Sequence, residues 1–163
     1  VLKNLRPVPD LFVEGWLNGD PPTPVSMKGK VVVIEAFATW CEPCRRYIPY
    51  LASLKRQFEN QDVIFLSLTN EEGDIRDELA QFASQTGMDW RIGYGAESVM
   101  LELDAHSIPA TYVVSRERQV VWTSEMPGNL EEAIKQALTF QTIPDAPAVP
   151  GDVGPVETSD APQ

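Results

Sequence analysis

The two cysteines of this chain, Cys41 and Cys44, are separated by two residues and follow an apolar run. The run, residues 31–37, predicts a buried strand, and the apolar spacing after it predicts an amphipathic helix that begins at the motif. Two thiols three positions apart in the first turn of a helix lie on one side of it, close enough to form a small disulfide ring. The unpaired N–H groups and positive dipole of the helix N-terminus favour a thiolate at Cys41. Because a thiolate is the form that attacks a disulfide, this placement favours dithiol–disulfide exchange.

The chain has too few suitable ligands for most metal sites that could use this motif. A structural zinc site needs four ligands, and His106 is the only histidine that could join the two thiols. Covalent haem attachment requires a histidine directly after the second cysteine, where this chain has Arg45. Two thiolates and an imidazole would suit Cu(I), so a copper-binding assembly chaperone that uses Cys41, Cys44 and His106 stays open as an alternative. The preferred redox interpretation assigns no metal ligand.

Length, charge and composition restrict the domain organisation and the partners. The 163 residues allow one domain with a sizeable core, which we place at 1–142. Residues 143–163 hold five prolines, two glycines, four acids and no Lys or Arg, so we predict a disordered acidic tail there. A formal net charge of −11 argues against nucleic acid or an anionic membrane surface as a partner.

Membrane contact is expected only through an anchor that has been removed. No apolar run in the sequence reaches membrane-spanning length. The first residue is Val1 rather than Met, so we expect a mature or trimmed chain.

The first thirty residues form an irregular lead-in to the domain. Their five prolines preclude a long helix. Residues 11–16 suggest a short strand, and the turn signal Asn18-Gly19 would fold it back toward residues 25–27. The sequence therefore predicts an N-terminal hairpin within residues 1–30.

Strand and helix patterns alternate along the rest of the chain. Apolar runs predict strands, and 3.6-residue spacing between them predicts helices. Such alternation indicates an α/β fold with a parallel core. The predicted strands are 31–37, 63–68, 90–92, 111–114 and 120–122, and the predicted helices are 44–58, 74–85, 96–103 and 129–138.

Glu35 is the one charged residue inside the first apolar run. A carboxylate in a buried strand is costly unless it is protonated, paired or hydrogen-bonded. One interpretation is that Glu35 points to a wet edge of the sheet and has no role. We favour the other, a buried acid with a raised pKa beneath the thiols.

Several motifs in order resemble the thioredoxin superfamily. They are the buried strand, the string WCEPC (40–44), and the string SIPAT (107–111) much later in the chain. The fuller string over residues 28–45 resembles the TlpA/ResA-like branch, whose members are membrane-anchored extracytoplasmic thioredoxins. The resemblance covers about residues 8–140. It implies a thioredoxin-like α/β fold with a central mixed sheet flanked by helices, an N-terminal hairpin extension, and an extracytoplasmic thiol–disulfide oxidoreductase.

The resemblance also implies roles for individual residues. Cys41 would be the exposed nucleophile, and Cys44 would resolve the mixed disulfide that Cys41 forms with a target. Glu35 falls where thioredoxins carry a buried Asp that relays a proton to and from the second cysteine. Pro109 would be the cis-proline that faces the cysteines. The residues to which we assign substrate binding are Trp40, Glu42, Pro43, Ile108 and Pro109.

Two residues bear on the direction of the reaction, and a third on how closely the mechanism matches that of ResA-like proteins. Ile108 is similar to the residue before the cis-proline in reducing thioredoxins, where many oxidants and isomerases have Thr or Val. Glu42 places a negative charge beside Cys41, which disfavours the thiolate and would make the protein a stronger reductant. Tyr47 stands where many ResA-like sequences have Glu, so one acid thought to tune the thiols is missing. A disulfide oxidant or isomerase stays open as an alternative.

We therefore expect a monomer that reduces protein disulfides, for example in cytochrome c or copper-site maturation. Its partners would be protein disulfide or thiol substrates and an upstream thiol electron donor. No cofactor is expected beyond the redox-active Cys41–Cys44 disulfide.

Overall fold

A single mixed sheet of seven strands organises the computed structural model, which describes residues 2–139. The strands are β1 (Arg6–Pro7), β2 (Gly15–Leu17), β3 (Val31–Ala36), β4 (Val63–Leu68), β5 (Arg91–Tyr94), β6 (Ala110–Val114) and β7 (Gln119–Thr123). The helices are α1 (Pro24–Met27), α2 (Glu42–Gln57), α3 (Arg76–Thr86), α4 (Glu97–Glu102) and α5 (Leu130–Thr139). The predicted tail at 143–163 lies outside the described residues.

The strand order across the sheet is β1-β7-β6-β3-β4-β5-β2. The pairs β3–β4 and β4–β5 are parallel, and the other four pairs are antiparallel. The parallel core and the flanking helices confirm the predicted α/β class with a central mixed sheet. All six residues of β3 are buried, which is the reason this strand reads as an almost continuous apolar run.

Alternation along β3 separates two hydrophobic clusters on the two faces of the sheet. Val31 and Val33 belong to a cluster with the inner sides of α2, α3 and α5. Val32 and Ile34 belong to the other cluster, with residues of α1 and α4. Within residues 2–139, no helix combines the length and the apolar character that crossing a bilayer requires.

Two helix ends show recognisable capping. Gly87 ends α3 with φ of 81°, a conformation that glycine adopts without steric cost. Before α5, the side chain of Asn129 accepts a hydrogen bond of 3.0 Å from the backbone N–H of Glu132, as a capping residue does.

The predicted N-terminal hairpin is wrong. Strand β1 pairs with β7 and strand β2 pairs with β5, so the two lie at opposite edges of the sheet. The segment expected to return as a strand is helix α1 instead, because Thr23 and Ser26 form a capping box and Pro24 suits the first helical position. The side chain of Asn18 donates to the carbonyl oxygens of Met88 and Trp90, which ties the turn to the start of β5.

Candidate active site

Cys41 and Cys44 form a disulfide at the N-terminus of α2, with their Cα atoms 5.3 Å apart. Cys41 is the N-cap residue, and its sulfur accepts the backbone N–H of Cys44 at 3.3 Å. Pro43 lies in the first turn, where its missing N–H leaves no hydrogen bond unmade. Cys41 is 5% exposed and Cys44 is 0% exposed. Cys41 is thus the more accessible cysteine, although its thiol is far less open than an exposed nucleophile would be.

The loop before β6 lies against the disulfide. The Ile108–Pro109 peptide bond is cis, and the sulfur of Cys41 is 4.0 Å from the carbonyl oxygen of Ile108. Trp40, which directly precedes Cys41, is 74% exposed. Glu42, which directly follows Cys41, is also exposed. The structure therefore brings the loop and Cys41 together, and leaves an exposed aromatic side chain beside them.

Glu35 lies in the interior, on the side of β3 that faces α2. It is 1% exposed, and it lies two positions after Val33 on the same face of the strand, the face whose cluster contains Cys44. Burial raises the pKa of Glu35 to about 7, and a hydrogen bond from Ser67 opposes that rise. The location excludes the wet-edge interpretation of this carboxyl group, and its part in catalysis stays a prediction.

Two further side chains border Glu35 across the sheet and on α2. Thr111 is the residue of β6 paired with Glu35, and its hydroxyl donates to the Tyr47 hydroxyl at 3.1 Å. Burial raises the pKa of Tyr47 to about 12, with a smaller contribution from the charge of Glu35. Tyr47 is therefore neutral at pH 7 and supplies no second acid near the thiols.

A clamp that the sequence analysis missed holds the loop before Cys41. Both oxygens of Glu71 accept from Thr39: Oε2 accepts the backbone N–H at 3.0 Å, and Oε1 accepts the hydroxyl. The hydroxyl of Thr69 also donates to Oε2, at 2.8 Å. Glu71 thereby ties the segment after β4 to the residue two positions before the nucleophile. No local pattern signals this contact, because the two residues are 32 positions apart.

Glu71→Ala is expected to loosen the loop without changing the fold. The substitution leaves the half-buried N–H of Thr39 without its acceptor, which costs about 1–3 kcal/mol of unfolding free energy. Amide hydrogen exchange at Thr39 should become faster, while protection from exchange in β3 should fall only by the global loss of stability. Glu72→Ala, at the exposed neighbouring position, is the matched control. Unchanged protection at Thr39 would show that Glu71 does not hold the loop before Cys41.

His106 does not join the two cysteines in a metal site. Among the residues described, no group of three or more His, Cys, Asp or Glu side chains is placed to hold a metal ion. His106 instead lines a polar depression with Arg6, Asp104 and Glu125.

Comparison with known proteins identifies the family. The Redoxin family model matches residues 10–138, most of the chain. The chain belongs to the redoxin family. A curated relative of this redoxin is the thiol-disulfide oxidoreductase ResA of Bacillus subtilis, 28% identical over 111 residues. That alignment covers 68% of this chain and 61% of the relative, so the chain spans about six tenths of the relative's length.

Solved structures agree with the fold of the redoxin. The thioredoxin-like superfamily protein SPOA0173 superposes with a TM-score of 0.71 at 20% identity, covering 83% of this chain and 98% of that one. A secreted disulfide oxidoreductase of Mycobacterium tuberculosis, described as homologous to DsbE of E. coli, superposes with a TM-score of 0.60 at 17% identity, covering 79% and 95%. The predicted membership of the thioredoxin superfamily, in its TlpA/ResA-like branch, is confirmed. The relatives' names agree with the predicted thiol–disulfide oxidoreductase class.

Proposed function

We propose that this redoxin is a thiol–disulfide oxidoreductase that reduces disulfides of other proteins. The observation that carries the proposal is the Cys41–Cys44 pair at a helix N-terminus, with the carbonyl oxygen of Ile108 4.0 Å from the Cys41 sulfur. An extended target strand could pair with the backbone beside the cis-proline and bring its own disulfide to Cys41. The exposed Trp40 would cover one side of that strand.

The proposed reaction has two exchange steps that balance. In the reduced protein, the Cys41 thiolate attacks one sulfur of the target disulfide, a mixed disulfide forms, and the other target sulfur leaves as a thiolate. Cys44 then attacks the Cys41 sulfur, which forms the Cys41–Cys44 disulfide and releases the second target thiolate. The target gains two electrons, and an upstream dithiol donor returns two electrons to the pair.

Glu35 is proposed to move the proton of Cys44. The carboxylate takes the proton as Cys44 becomes a nucleophile, and returns it when the pair is reduced again. The burial of Glu35 and its pKa of about 7 support this role, because such a group exchanges protons readily near neutral pH. Glu is one methylene longer than the Asp found in thioredoxins, which extends the carboxyl group further from β3.

Glu35→Gln is therefore expected to slow exchange at neutral pH by at least about tenfold and to leave the fold intact. The attack by Cys41 does not depend on Glu35, so the loss should appear in the resolving step. Stopped-flow measurement of both steps between pH 6 and 9, with Glu59→Gln as the exposed control, checks this. Equal rates for variant and parent across that range would contradict the relay.

An extracytoplasmic location is part of the proposal. It is supported by the TlpA/ResA-like resemblance and by the structural relative from Mycobacterium tuberculosis, which is a secreted protein. The targets would be apocytochrome c, whose thiols the reaction would restore, or copper-site assembly proteins, and the protein would act as a monomer.

The function is tested by catalysed reduction of a protein disulfide. Insulin is incubated with dithiothreitol, and the rate of its reduction is followed with and without this protein. Acceleration by the parent and none by Cys41→Ser is the expected result. If the parent gave no acceleration but bound one Cu(I), and His106→Ala abolished that binding, the copper-chaperone alternative would replace the proposal.

A further inference from the structure

A buried chain of three hydrogen-bonded groups ends on Glu35. The indole N–H of Trp90 donates to the Ser67 hydroxyl at 2.8 Å, and that hydroxyl donates to Oε2 of Glu35 at 2.7 Å. Ser67 is 0% exposed and Trp90 is 4% exposed. Ser67 is the residue of β4 paired with Glu35, and Trp90 directly precedes β5. The hydrogen-bonded groups therefore extend from β3 across β4 to the start of β5.

The direction of this chain follows from the donors that each group has. An indole nitrogen can only donate, so the Ser67 oxygen must accept from Trp90. The single proton of the Ser67 hydroxyl then remains for Glu35, and Oε2 accepts it both in the carboxylate and in the neutral acid that carries its proton on Oε1. A reversed chain, with Oε2–H donating to Ser67, would leave the hydroxyl proton of Ser67 directed away from its partner.

The other carboxyl oxygen is free of such a restraint. Oε1 of Glu35 is buried and has no hydrogen-bond partner within residues 2–139. We propose that Ser67 and Trp90 are positioning residues for Glu35, which keep Oε2 as an acceptor and confine the acidic proton to Oε1. The inference rests on the proposed role of Glu35 as the proton relay of Cys44, and it assigns the oxygen through which that relay works.

The environment of Glu35 leaves few other groups that could influence it. Helix α2 presents the Tyr47 hydroxyl and Cys44, and its N-cap residue is Cys41; the two cysteines titrate only when reduced. The paired strands β4 and β6 present hydroxyl groups, Ser67 and Thr111, and no charge. Ser67 is thus the neighbour whose hydrogen bond favours the ionised carboxyl group against the effect of burial.

The test measures the Glu35 carboxyl group directly, in the oxidised protein, in which neither cysteine titrates. Side-chain carboxyl ¹³C resonances are followed against pH in the parent, Ser67→Ala and Trp90→Phe. We expect the Glu35 midpoint to rise by about one pH unit in Ser67→Ala, a tenfold change in its ionisation constant. Trp90→Phe should give a smaller rise, because the hydroxyl remains but is no longer polarised by the indole.

Two controls separate this effect from a general loss of packing. Ser115→Ala removes another buried hydroxyl, and Trp122→Phe removes an indole that donates to the carbonyl oxygen of Pro127. Neither residue contacts Glu35 by a hydrogen bond, so both variants should keep the parent midpoint. An unchanged or lowered Glu35 midpoint in both Ser67→Ala and Trp90→Phe would overturn the inference.

Exchange kinetics distinguish this inference from the proposed function. If the relay holds, the pH midpoint of the resolving step rises with that of Glu35 in Ser67→Ala. If the titration midpoint of Glu35 shifted in Ser67→Ala but the pH profile of the resolving rate did not, the positioning role would be supported and the relay refuted. An unmoved carboxyl midpoint would refute the positioning role, even where Glu35→Gln still slowed the reaction.

Discussion

Cys44→Ser is expected to abolish turnover and to leave the protein joined to its target. Cys41 of the variant can still attack a disulfide, because it is the more accessible cysteine and lies beside Trp40 and the Ile108 carbonyl. The resolving thiol is then missing, so the mixed disulfide persists. Non-reducing electrophoresis and intact mass should show a one-to-one adduct with a disulfide-containing target, which dithiothreitol dissociates.

Cys41→Ser is the matched control for this experiment. It retains Cys44, which lies in the first turn of α2, is 0% exposed and has no access to a folded target. We expect neither turnover nor an adduct from it. An adduct with Cys41→Ser and none with Cys44→Ser would reverse the roles of the two cysteines.

The parent protein is expected to lose stability relative to Glu35→Gln as pH rises from 4.5 to about 7. The pKa of Glu35 rises from 4.5 to about 7 on folding, with burial as the main cause. Across that window the unfolded chain releases the Glu35 proton while the folded chain keeps it, so the free energy of unfolding falls. At about 1.4 kcal/mol per pH unit the loss is about 3 kcal/mol, and above pH 7 it stays constant.

Denaturant unfolding of the oxidised proteins at pH 4.5, 6 and 8 measures this difference. Gln has the size of Glu and does not titrate, so the gap between the two curves reports the carboxyl group alone. Glu59→Gln changes an exposed acid, and its free energy of unfolding should vary with pH in the same way as that of the parent. A constant gap between parent and Glu35→Gln would show that Glu35 does not bind its proton more tightly in the folded state.

The central elements of the fold could be read from the sequence because their signals are local. Strand β4 has the predicted bounds, and β3 differs from its predicted range by one residue. Each is a continuous apolar run, since parallel central strands are buried on both faces. Glu35 was found for the same reason, as the charged residue in such a run.

The edges of the sheet could not be predicted in the same way. Strand β2 pairs with β5, and Gly15 lies opposite Tyr94, so the pairing depends on contacts between distant parts of the chain. The turn at Asn18 is real, with φ of 63°, but it does not lead into a second strand. The local turn signal therefore predicted a hairpin, whereas β2 pairs instead with the distant strand β5.

The polar contacts of the candidate site were missed for a related reason. Glu71 reaches Thr39 and Ser67 reaches Glu35 across separations of 32 residues. Ser67 could have been found by aligning the two central strands in parallel, because its position in the run over 63–68 matches that of Glu35 in β3. Glu71 offered no such signal, since it lies in a loop among several other acids.

The equilibrium reduction potential of the Cys41–Cys44 pair tests the central claim most directly. The protein is equilibrated in dithiothreitol and glutathione buffers, and its free thiols are trapped and counted by mass. A protein that reduces disulfides should have a potential near or below the value of about −270 mV that is typical of thioredoxin. A potential near the roughly −120 mV of strong oxidants would contradict the account and assign disulfide donation to this redoxin instead.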